Sequence, residues 1–274
     1  MRGPGRLHYV RRGNGPPLLL VQGAAATHLH WGERLLSELA KSFDVVAYDH
    51  RGVGGSAPIQ DSLTMVDMAD DAAGLLDELG WEGSAAFGVS LGGVVAQELA
   101  LRHPGRLETL ILGCTTTGGD HHLAGGNRAQ RDAVAASIVR GDSAATARNL
   151  LHLGVKDQSS LPPDVWLEYR FATLSLPVHP RTTVLQVDAL ARHSTAARLG
   201  LLQTPTLVLH GDSDRIVDPA RGAAVAKAIA GSELMILPAG HFFWLEQPTQ
   251  VARAIAEFCG DSGPRGPAQP AAAR

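Results

Sequence analysis

The segment Ala85-Ala86-Phe87-Gly88-Val89-Ser90-Leu91-Gly92-Gly93-Val94-Val95-Ala96-Gln97-Glu98-Leu99 decides the fold. An apolar run before Gly88 is typical of a buried strand, and the residues after Gly92 favour a helix. Glycines two positions before and after Ser90 let a strand and a helix approach each other without Cβ clashes. The pattern alone is weak evidence, but its strand-before and helix-after setting predicts a sharp turn. Ser90 is therefore the candidate nucleophile, and the Leu91 amide at the helix start is a candidate oxyanion donor.

The rest of the chain repeats the alternation of short apolar runs and helical stretches. Strands are predicted at residues 17–21, 44–48, 84–89, 107–112, 206–210 and 234–237. Helices are predicted at residues 33–41, 65–79, 91–102 and about 249–258. Apolar strands that alternate with helices indicate an α/β fold whose mostly parallel sheet is covered by helices on both faces.

One stretch, residues 115–203, contains no convincing strand. Four helices fit it instead, at residues 128–140, 143–151, 164–173 and 181–192, with Asp142 as an N-cap and Pro162-Pro163 before the third. An all-helical block between two sheet strands predicts a helical lid inserted before the strand at 206–210. We expect a core domain formed by residues 1–114 and 204–260, a lid at 115–203, and a disordered tail at 261–274.

Composition narrows the class of protein. The 274 residues are 45% hydrophobic and 19% charged, enough for a large core. A net charge of −3 gives no electrostatic reason to expect nucleic acid or an anionic membrane as partner. The twelve histidines show no metal-ligand spacing, and no metal or cofactor is expected. The oligomeric state is not readable from the sequence.

The location of the protein is predicted from its cysteines and its apolar runs. Cys114 and Cys259 lie in apolar segments, which predicts buried free thiols and suits a reducing compartment. The N-terminus lacks the apolar region of a signal peptide, and no run of about 18 apolar residues occurs. We therefore expect a cytoplasmic protein with a small-molecule substrate and no membrane contact.

A serine at its ordinary pKa needs a base and an orienting acid. His241 follows the predicted strand at 234–237, at the strand end where parallel sheets gather functional groups. Asp212 and Asp214 both follow the strand at 206–210, and their spacing does not separate them. Either aspartate satisfies the chain order Ser, Asp, His.

Four blocks in order resemble the α/β-hydrolase superfamily over residues 7 to 258. They are Tyr48-Asp49-His50-Arg51-Gly52-Val53-Gly54-Gly55-Ser56, Gly88-Val89-Ser90-Leu91-Gly92-Gly93, Pro205-Thr206-Leu207-Val208-Leu209-His210-Gly211-Asp212-Ser213-Asp214, and Gly240-His241 followed by Glu246-Gln247-Pro248. The resemblance implies the fold of that superfamily and a Ser90-Asp214-His241 triad, since the acid falls three residues after Gly211. It also implies that the first block is structural. Arg51 could bind a substrate anion, although a structural ion pair is the commoner role for an arginine at such a position.

The resemblance places a second oxyanion donor in the loop after the first predicted strand. That donor falls on the Ala24 amide. Many relatives carry His-Gly where this chain reads Gln22-Gly23. The missing histidine leaves the backbone donors in place, but it puts the shape of the loop in question. Small side chains from Ala24 to Ala26 should leave room beside Ser90.

The chain looks most similar to small esterases, enol-lactonases and cofactor-free perhydrolases. The expected reaction is cleavage of a carboxylic ester, lactone or enol-lactone through an acyl-enzyme on Ser90. A perhydrolase or haloperoxidase-like enzyme and a carbon–carbon bond hydrolase are alternatives with the same triad. A ligand-binding receptor or scaffold with an idle triad is the alternative of another class.

Aromatic residues supply candidates for substrate contact. Trp31, Phe242 and Trp166 are the predicted substrate-binding residues, the last from the lid. Other aromatics near these positions are Phe243, Trp244, Tyr169 and Phe171. An aromatic side chain at any of these positions is more often part of the core than a substrate contact.

Overall fold

A computed structural model describes residues 6–119 and 128–262. Within these ranges the chain forms seven strands and ten α-helices. The strands are β1 (Tyr9–Arg12), β2 (Pro17–Val21), β3 (Asp44–Tyr48), β4 (Ser84–Val89), β5 (Leu107–Gly113), β6 (Thr206–Gly211) and β7 (Glu233–Leu237). The helices are α1 (Glu33–Leu39), α2 (Met65–Glu78), α3 (Leu91–Arg102), α4 (Arg128–Val139), α5 (Ser143–Gly154), α6 (Pro163–Ser175), α7 (Pro180–Ala191), α8 (Pro219–Ala228), α9 (Phe243–Glu246) and α10 (Pro248–Ser262).

The strands join in one sheet in the order β1-β3-β2-β4-β5-β6-β7. Every pair is parallel except β1 with β3, which is antiparallel. The predicted α/β class with a mostly parallel sheet is therefore confirmed. The sequence interpretation missed β1, because this edge strand is only half-buried and ends in Arg11 and Arg12.

Side chains of alternate residues in each central strand enter two different cores. In β2, Leu18 and Leu20 pack into one core, whereas Leu19 and Val21 pack into the other. All four are fully buried. This two-sided burial is why the strands read as continuous apolar runs rather than as alternating ones.

The helices α4 to α7 lie between β5 and β6, where the sequence predicts an all-helical block. We call the described residues 128–191 the helical insertion. Each of its helices begins and ends within three residues of its predicted bounds. The division of the chain into domains stays a prediction.

The remaining differences are small. The last helix continues to Ser262, so the predicted tail begins two residues too early, and residues 263–274 lie outside the described ranges. The sequence interpretation also missed α8, although Asp218 caps it by accepting a hydrogen bond from Ala220 N, and Pro219 occupies its first turn. His121 and His122, for which the sequence predicts a solvated loop without a metal-ligand pattern, lie outside the described residues. None of the described helices combines the length and the apolar character that crossing a membrane requires.

Candidate active site

The carboxyl ends of five neighbouring parallel strands supply the residues of the site. The loop of residues 22–26 follows β2, Ser90 follows β4, and Cys114 follows β5. Asp214 comes after β6, and His241 comes after β7. Because these strand ends meet at one edge of the sheet, residues far apart in sequence become neighbours.

Ser90 lies at the sharp turn between β4 and α3, with φ 55° and ψ −122°. This left-handed conformation is strained for a residue with a side chain. The flanking glycines are sterically required: a Cβ on Gly92 would lie 2.1 Å from the carbonyl oxygen of Val21, and one on Gly88 would lie 2.4 Å from the oxygen of Gly92. The glycine spacing therefore lets the helix start directly against the sheet, as the sequence predicts.

Two other non-glycine residues with positive φ frame the same site. Ala25 has φ 57° and Cys114 has φ 40°. Ala25 belongs to the loop beside Ser90, and Cys114 Sγ lies 3.8 Å from His241 Nε2. Within the described residues, these three are the non-glycine positions with left-handed backbone. Backbone strain is thus concentrated at the site.

His241 and Asp214 form a buried pair. His241 Nδ1 lies 2.7 Å from Asp214 Oδ2. The amides of Ile216 and Val217 donate to Asp214 Oδ1 over 2.8 and 2.9 Å. The carboxylate is therefore fixed by the backbone of its own loop, and its other oxygen, Oδ2, faces the His241 imidazole.

A second histidine also contacts Asp214. His210 Nε2 lies 3.1 Å from Asp214 Oδ2 and 3.1 Å from the carbonyl oxygen of Val217. Both neighbours are acceptors, so Nε2 carries the proton and donates to them. The sequence interpretation treated His210 only as part of a family-like block. The sequence feature that could have identified His210 is its position at the end of β6, four residues before Asp214.

The pKa of Asp214 is held well below its ordinary value. Burial alone raises the pKa, but the charge of His241 and the hydrogen bonds from both histidines outweigh it. Asp214 therefore stays ionised in the buried pair. That is the state in which a carboxylate orients an imidazole and supports its positive charge.

Asp212 has a different environment. Its carboxylate is exposed, and Lys156 Nζ lies 3.0 Å from both oxygens. Ser213 Oγ donates to Oδ1 over 2.7 Å. These hydrogen bonds lower the pKa of Asp212. Of the two aspartates that spacing could not separate, the structure brings Asp214 to His241.

Ala24 and Leu91, the predicted oxyanion residues, lie next to Ser90. All three line a small cavity of about 40 Å³. Neither backbone amide donates a hydrogen bond to any residue in the ranges 6–119 and 128–262. Leu91 is also the first residue of α3, where the helix dipole favours negative charge. The two amides can therefore donate to an oxygen that enters this cavity.

A hydrogen bond to the helical insertion holds the loop that contains Ala24. Gln186 of α7 accepts a hydrogen bond from Ala25 N over 2.9 Å, 161 residues away in sequence. Gln186 is fully buried, and its Nε2 finds no partner in the described part of the chain. The sequence interpretation missed Gln186, because no local pattern connects α7 with this loop.

Gln22 occupies the position at which many relatives have histidine. Its Oε1 accepts from Gly23 N over 2.8 Å, while its buried Nε2 has no partner among the described residues. His50 Nε2 donates to the carbonyl oxygen of Gln22 over 2.8 Å. Burial lowers the pKa of His50 to about 4, so this donor is neutral. The loop is therefore fixed by hydrogen bonds without the histidine.

A cavity of about 160 Å³ lies over Ser90, and we call it the serine cavity. Its wall includes Ser90, His241, the loop of residues 22–26, Phe242 and Trp244 from the core, and Tyr169 and Val187 from the insertion. Within the described residues, no hydrogen bond joins Ser90 Oγ to His241. Such bonds are often long before a substrate binds.

The three predicted substrate-binding residues have different environments. Phe242 lines the serine cavity. Trp31 does not, because its ring is fully buried in the core against Phe87 and Trp244. Trp166 is also absent from the described wall, and Arg170 lies over its ring. The structure thus gives Trp31 a packing role and replaces it with Trp244 at the cavity.

The first family-like block is held by ion pairs. Arg51 makes a bidentate ion pair with the buried Asp71 of α2. Asp49 accepts from the amides of His28 and Gly55 over 2.7 and 3.1 Å. These contacts fix the loop after β3 and fit the structural role expected for Arg51.

Two groups of side chains bring possible metal-ligating atoms within 4.8 Å of one another. One is Cys114 with Asp214 and His241, and the other is His8 with His28 and Asp49. In both groups the aspartate already accepts hydrogen bonds from backbone amides and imidazoles. The donor sets are therefore accounted for by hydrogen bonding. Burial also raises the pKa of the Cys114 thiol well above its ordinary value.

Comparison with known proteins agrees with the fold. Residues 16–248 match the model of a family described as alpha/beta hydrolase fold. The 2-hydroxymuconate semialdehyde hydrolase of Pseudomonas sp. strain CF600 is 29% identical over 262 residues, which cover 91% of this chain and 89% of that one.

Two solved structures resemble the chain over nearly its whole length. A thermophilic esterase from Thermogutta terrifontis is 31% identical with a TM-score of 0.80, covering 94% of each chain. The enol-lactonase from Burkholderia xenovorans LB400 has a TM-score of 0.81 over 93% of this chain and 97% of its own. At 24% identity, this second likeness shows the fold alone. Since the family model spans most of the sequence, the chain belongs to the alpha/beta hydrolase fold family.

Proposed function

We propose that the protein is a serine hydrolase that cleaves a carboxylic ester, lactone or enol-lactone through an acyl-enzyme on Ser90. The main support is the buried Asp214–His241 pair, at 2.7 Å, whose histidine lines the same cavity as Ser90. The amides of Ala24 and Leu91 beside Ser90 add the donors that the reaction needs.

In the first step, Ser90 Oγ attacks the substrate carbonyl carbon while His241 Nε2 takes the hydroxyl proton. Asp214 keeps the proton on His241 Nδ1 and supports the imidazolium. The carbonyl oxygen becomes an oxyanion, which accepts hydrogen bonds from the amides of Ala24 and Leu91. The tetrahedral intermediate collapses, the bond to the leaving oxygen breaks, and His241 gives that oxygen its proton.

In the second step, water replaces the leaving group. His241 takes a proton from the water, and the resulting hydroxide attacks the acyl carbon. Collapse of this second intermediate breaks the bond to Ser90 Oγ, which regains its proton from His241. The products are a carboxylic acid and an alcohol or enol.

The walls of the serine cavity favour an uncharged substrate. No lysine or arginine is among the described residues that line it. A carbon–carbon bond hydrolase acting on an acidic diketone would need a cation near Ser90 to hold the carboxylate. The cavity therefore fits an uncharged ester or lactone better than an acidic diketone.

Covalent labelling tests the proposal. A fluorophosphonate probe should label the folded protein at Ser90, and p-nitrophenyl acetate should be hydrolysed. Ser90→Ala should abolish the labelling and lower kcat by about a million-fold. Ser213→Ala, which removes the hydroxyl that donates to the exposed Asp212, is the matched control and should keep both activities.

The outcomes separate the alternatives. Folded protein that is neither labelled nor active would contradict the hydrolase proposal and favour a binding protein with an idle triad. Labelling that persists in Ser90→Ala would show that the nucleophile is wrongly assigned. Peracid formation that exceeds ester hydrolysis in the presence of peroxide would identify a perhydrolase.

A further inference from the structure

A second cavity lies mainly within the helical insertion, next to the serine cavity. This cavity, which we call the insertion groove, has a volume of about 450 Å³ and is bounded by α4, α5 and α7. Six residues line both spaces, and they are Val134, Ile138, Leu150, Thr183, Val187 and Ile216. The groove and the serine cavity therefore adjoin along these six side chains.

The groove is apolar along its length. The described side chains on its wall are aliphatic except Arg131, Thr183 and Asp188. Asp188 is paired with Arg192 one turn further along α7. A wall of this kind offers a ligand dispersion contacts and removal from water, with little hydrogen bonding.

The groove also opens to solvent. Val139 and Val184 belong to its wall, and they are 74% and 56% exposed. Large exposed aliphatic side chains beside a cavity are typical of a ligand groove. Because this end is open, a chain longer than the groove can extend into water without a clash.

We propose that the insertion groove binds the linear aliphatic chain of the ester that Ser90 attacks. The substrate class is thus an ester with a medium or long unbranched chain, on either its acyl or its alcohol side. This inference rests on the proposed function, which concerns the ester bond that Ser90 attacks. It adds that the groove selects the chain attached to that bond.

Two ester series test the groove. p-Nitrophenyl esters from acetate to laurate vary the acyl chain, and n-alkyl acetates vary the alcohol. In the series that enters the groove, kcat/KM should rise by about fourfold for each methylene that leaves water. It should then level off, because the outer end is open. A fall or no change with chain length in both series would overturn the inference while leaving hydrolysis of the acetate ester intact.

A matched pair of variants locates the effect. Ala135→Trp places a large side chain on the groove wall, whereas Ala133→Trp alters an exposed alanine of the same helix that does not line the groove. Ala135→Trp should lower the ratio of octanoyl to acetyl turnover by at least about tenfold, and Ala133→Trp should not change it. Equal ratios in the two variants would contradict the assignment.

Binding without turnover separates this inference from the proposed function. Calorimetry with decanoate and acetate on Ser90→Ala should show binding of decanoate only, and adding Ala135→Trp should weaken that binding by at least about tenfold. If no ester is hydrolysed but this pattern is found, the hydrolase proposal fails and the groove stands. If decanoate binds equally well with tryptophan at position 135, the groove inference fails.

Discussion

The core wall and the insertion wall of the serine cavity differ in how their side chains are held. On the core wall, Asp214 accepts hydrogen bonds from two backbone amides and from two imidazoles, which fix its direction. On the insertion wall, Ile138, Leu150 and Val187 reach the cavity with aliphatic side chains. Hydrogen bonds specify position and angle, whereas apolar packing specifies only volume. Under the proposed function, the chemistry therefore depends on the core wall and the choice of substrate on the insertion wall.

The strongest test of this comparison is the pair of aspartates on the core side. Asp214→Asn should lower kcat by about 10⁴-fold, because the amide no longer holds the right imidazole tautomer. Asp212→Asn, which alters the exposed carboxylate beside Lys156, should change kcat by less than about twofold. Steady-state kinetics on an aryl ester measures both. A similar loss in the two variants would mean that spacing in the loop, rather than contact with His241, sets activity.

The second test concerns acid stability. His30 and His50 are buried on the core side, and burial lowers the pKa of each to about 4. Below a pH of about 6.5 the unfolded chain takes up protons that the folded chain does not, so stability falls as pH falls towards 4. Each histidine should contribute a slope of about 1.4 kcal/mol per pH unit in this window. Urea unfolding across the window measures the slope.

The control for acid stability uses a histidine of the insertion. His50→Gln should reduce the slope by the contribution of one histidine, whereas the exposed His152→Gln should leave it unchanged. The slope, rather than the absolute stability, is the readout, so a general loss of stability in His50→Gln does not obscure the result. An unchanged slope in His50→Gln would show that its proton is not taken up on unfolding.

The third test addresses the hydrogen bond between Gln186 of the insertion and Ala25 in the loop of residues 22–26. Gln186→Leu leaves the Ala25 amide unpaired, which costs about 1–3 kcal/mol, and should let the loop shift. We expect kcat to fall about tenfold with little change in KM, since Gln186 is a positioning residue. Gln158→Leu, at an exposed glutamine of the insertion, is the control. A rise in KM without loss of kcat would indicate that Gln186 shapes binding instead.

The smallest expected effects separate two aromatics. Phe242 lines the serine cavity, whereas Trp166 lies off its wall. Phe242→Leu should lower kcat/KM for a short aryl ester by about threefold, and Trp166→Leu should change it by less than about twofold. The reverse order would restore Trp166 as a substrate contact.

The sequence predicted most of the sheet and the order of the candidate triad. These features follow from local patterns: apolar runs for strands such as β3, and glycine spacing around Ser90, where a Cβ on Gly92 would strike the Val21 carbonyl. The catalytic roles of Ser90, Asp214 and His241 stay predictions until activity is measured.

What the sequence could not supply depends on contacts between distant elements. Gln186 meets Ala25 only after α7 packs over the sheet. Trp31 and Trp244 are both buried, yet tertiary packing brings only Trp244 to the described wall of the serine cavity. Asp212 and Asp214 differ in side-chain direction, which their spacing from β6 does not encode.

The left-handed backbone at Ala25, Ser90 and Cys114 has a consequence for how this protein can evolve. Each such residue lowers the stability of the fold by about 1–3 kcal/mol relative to a relaxed conformation. Drift to glycine at position 25 would relieve that strain and also loosen the frame around Ser90, whereas at position 114 it would also remove a fully buried side chain from the core. Under the proposed function, selection for thermostability and selection for turnover therefore act in opposite directions at position 25.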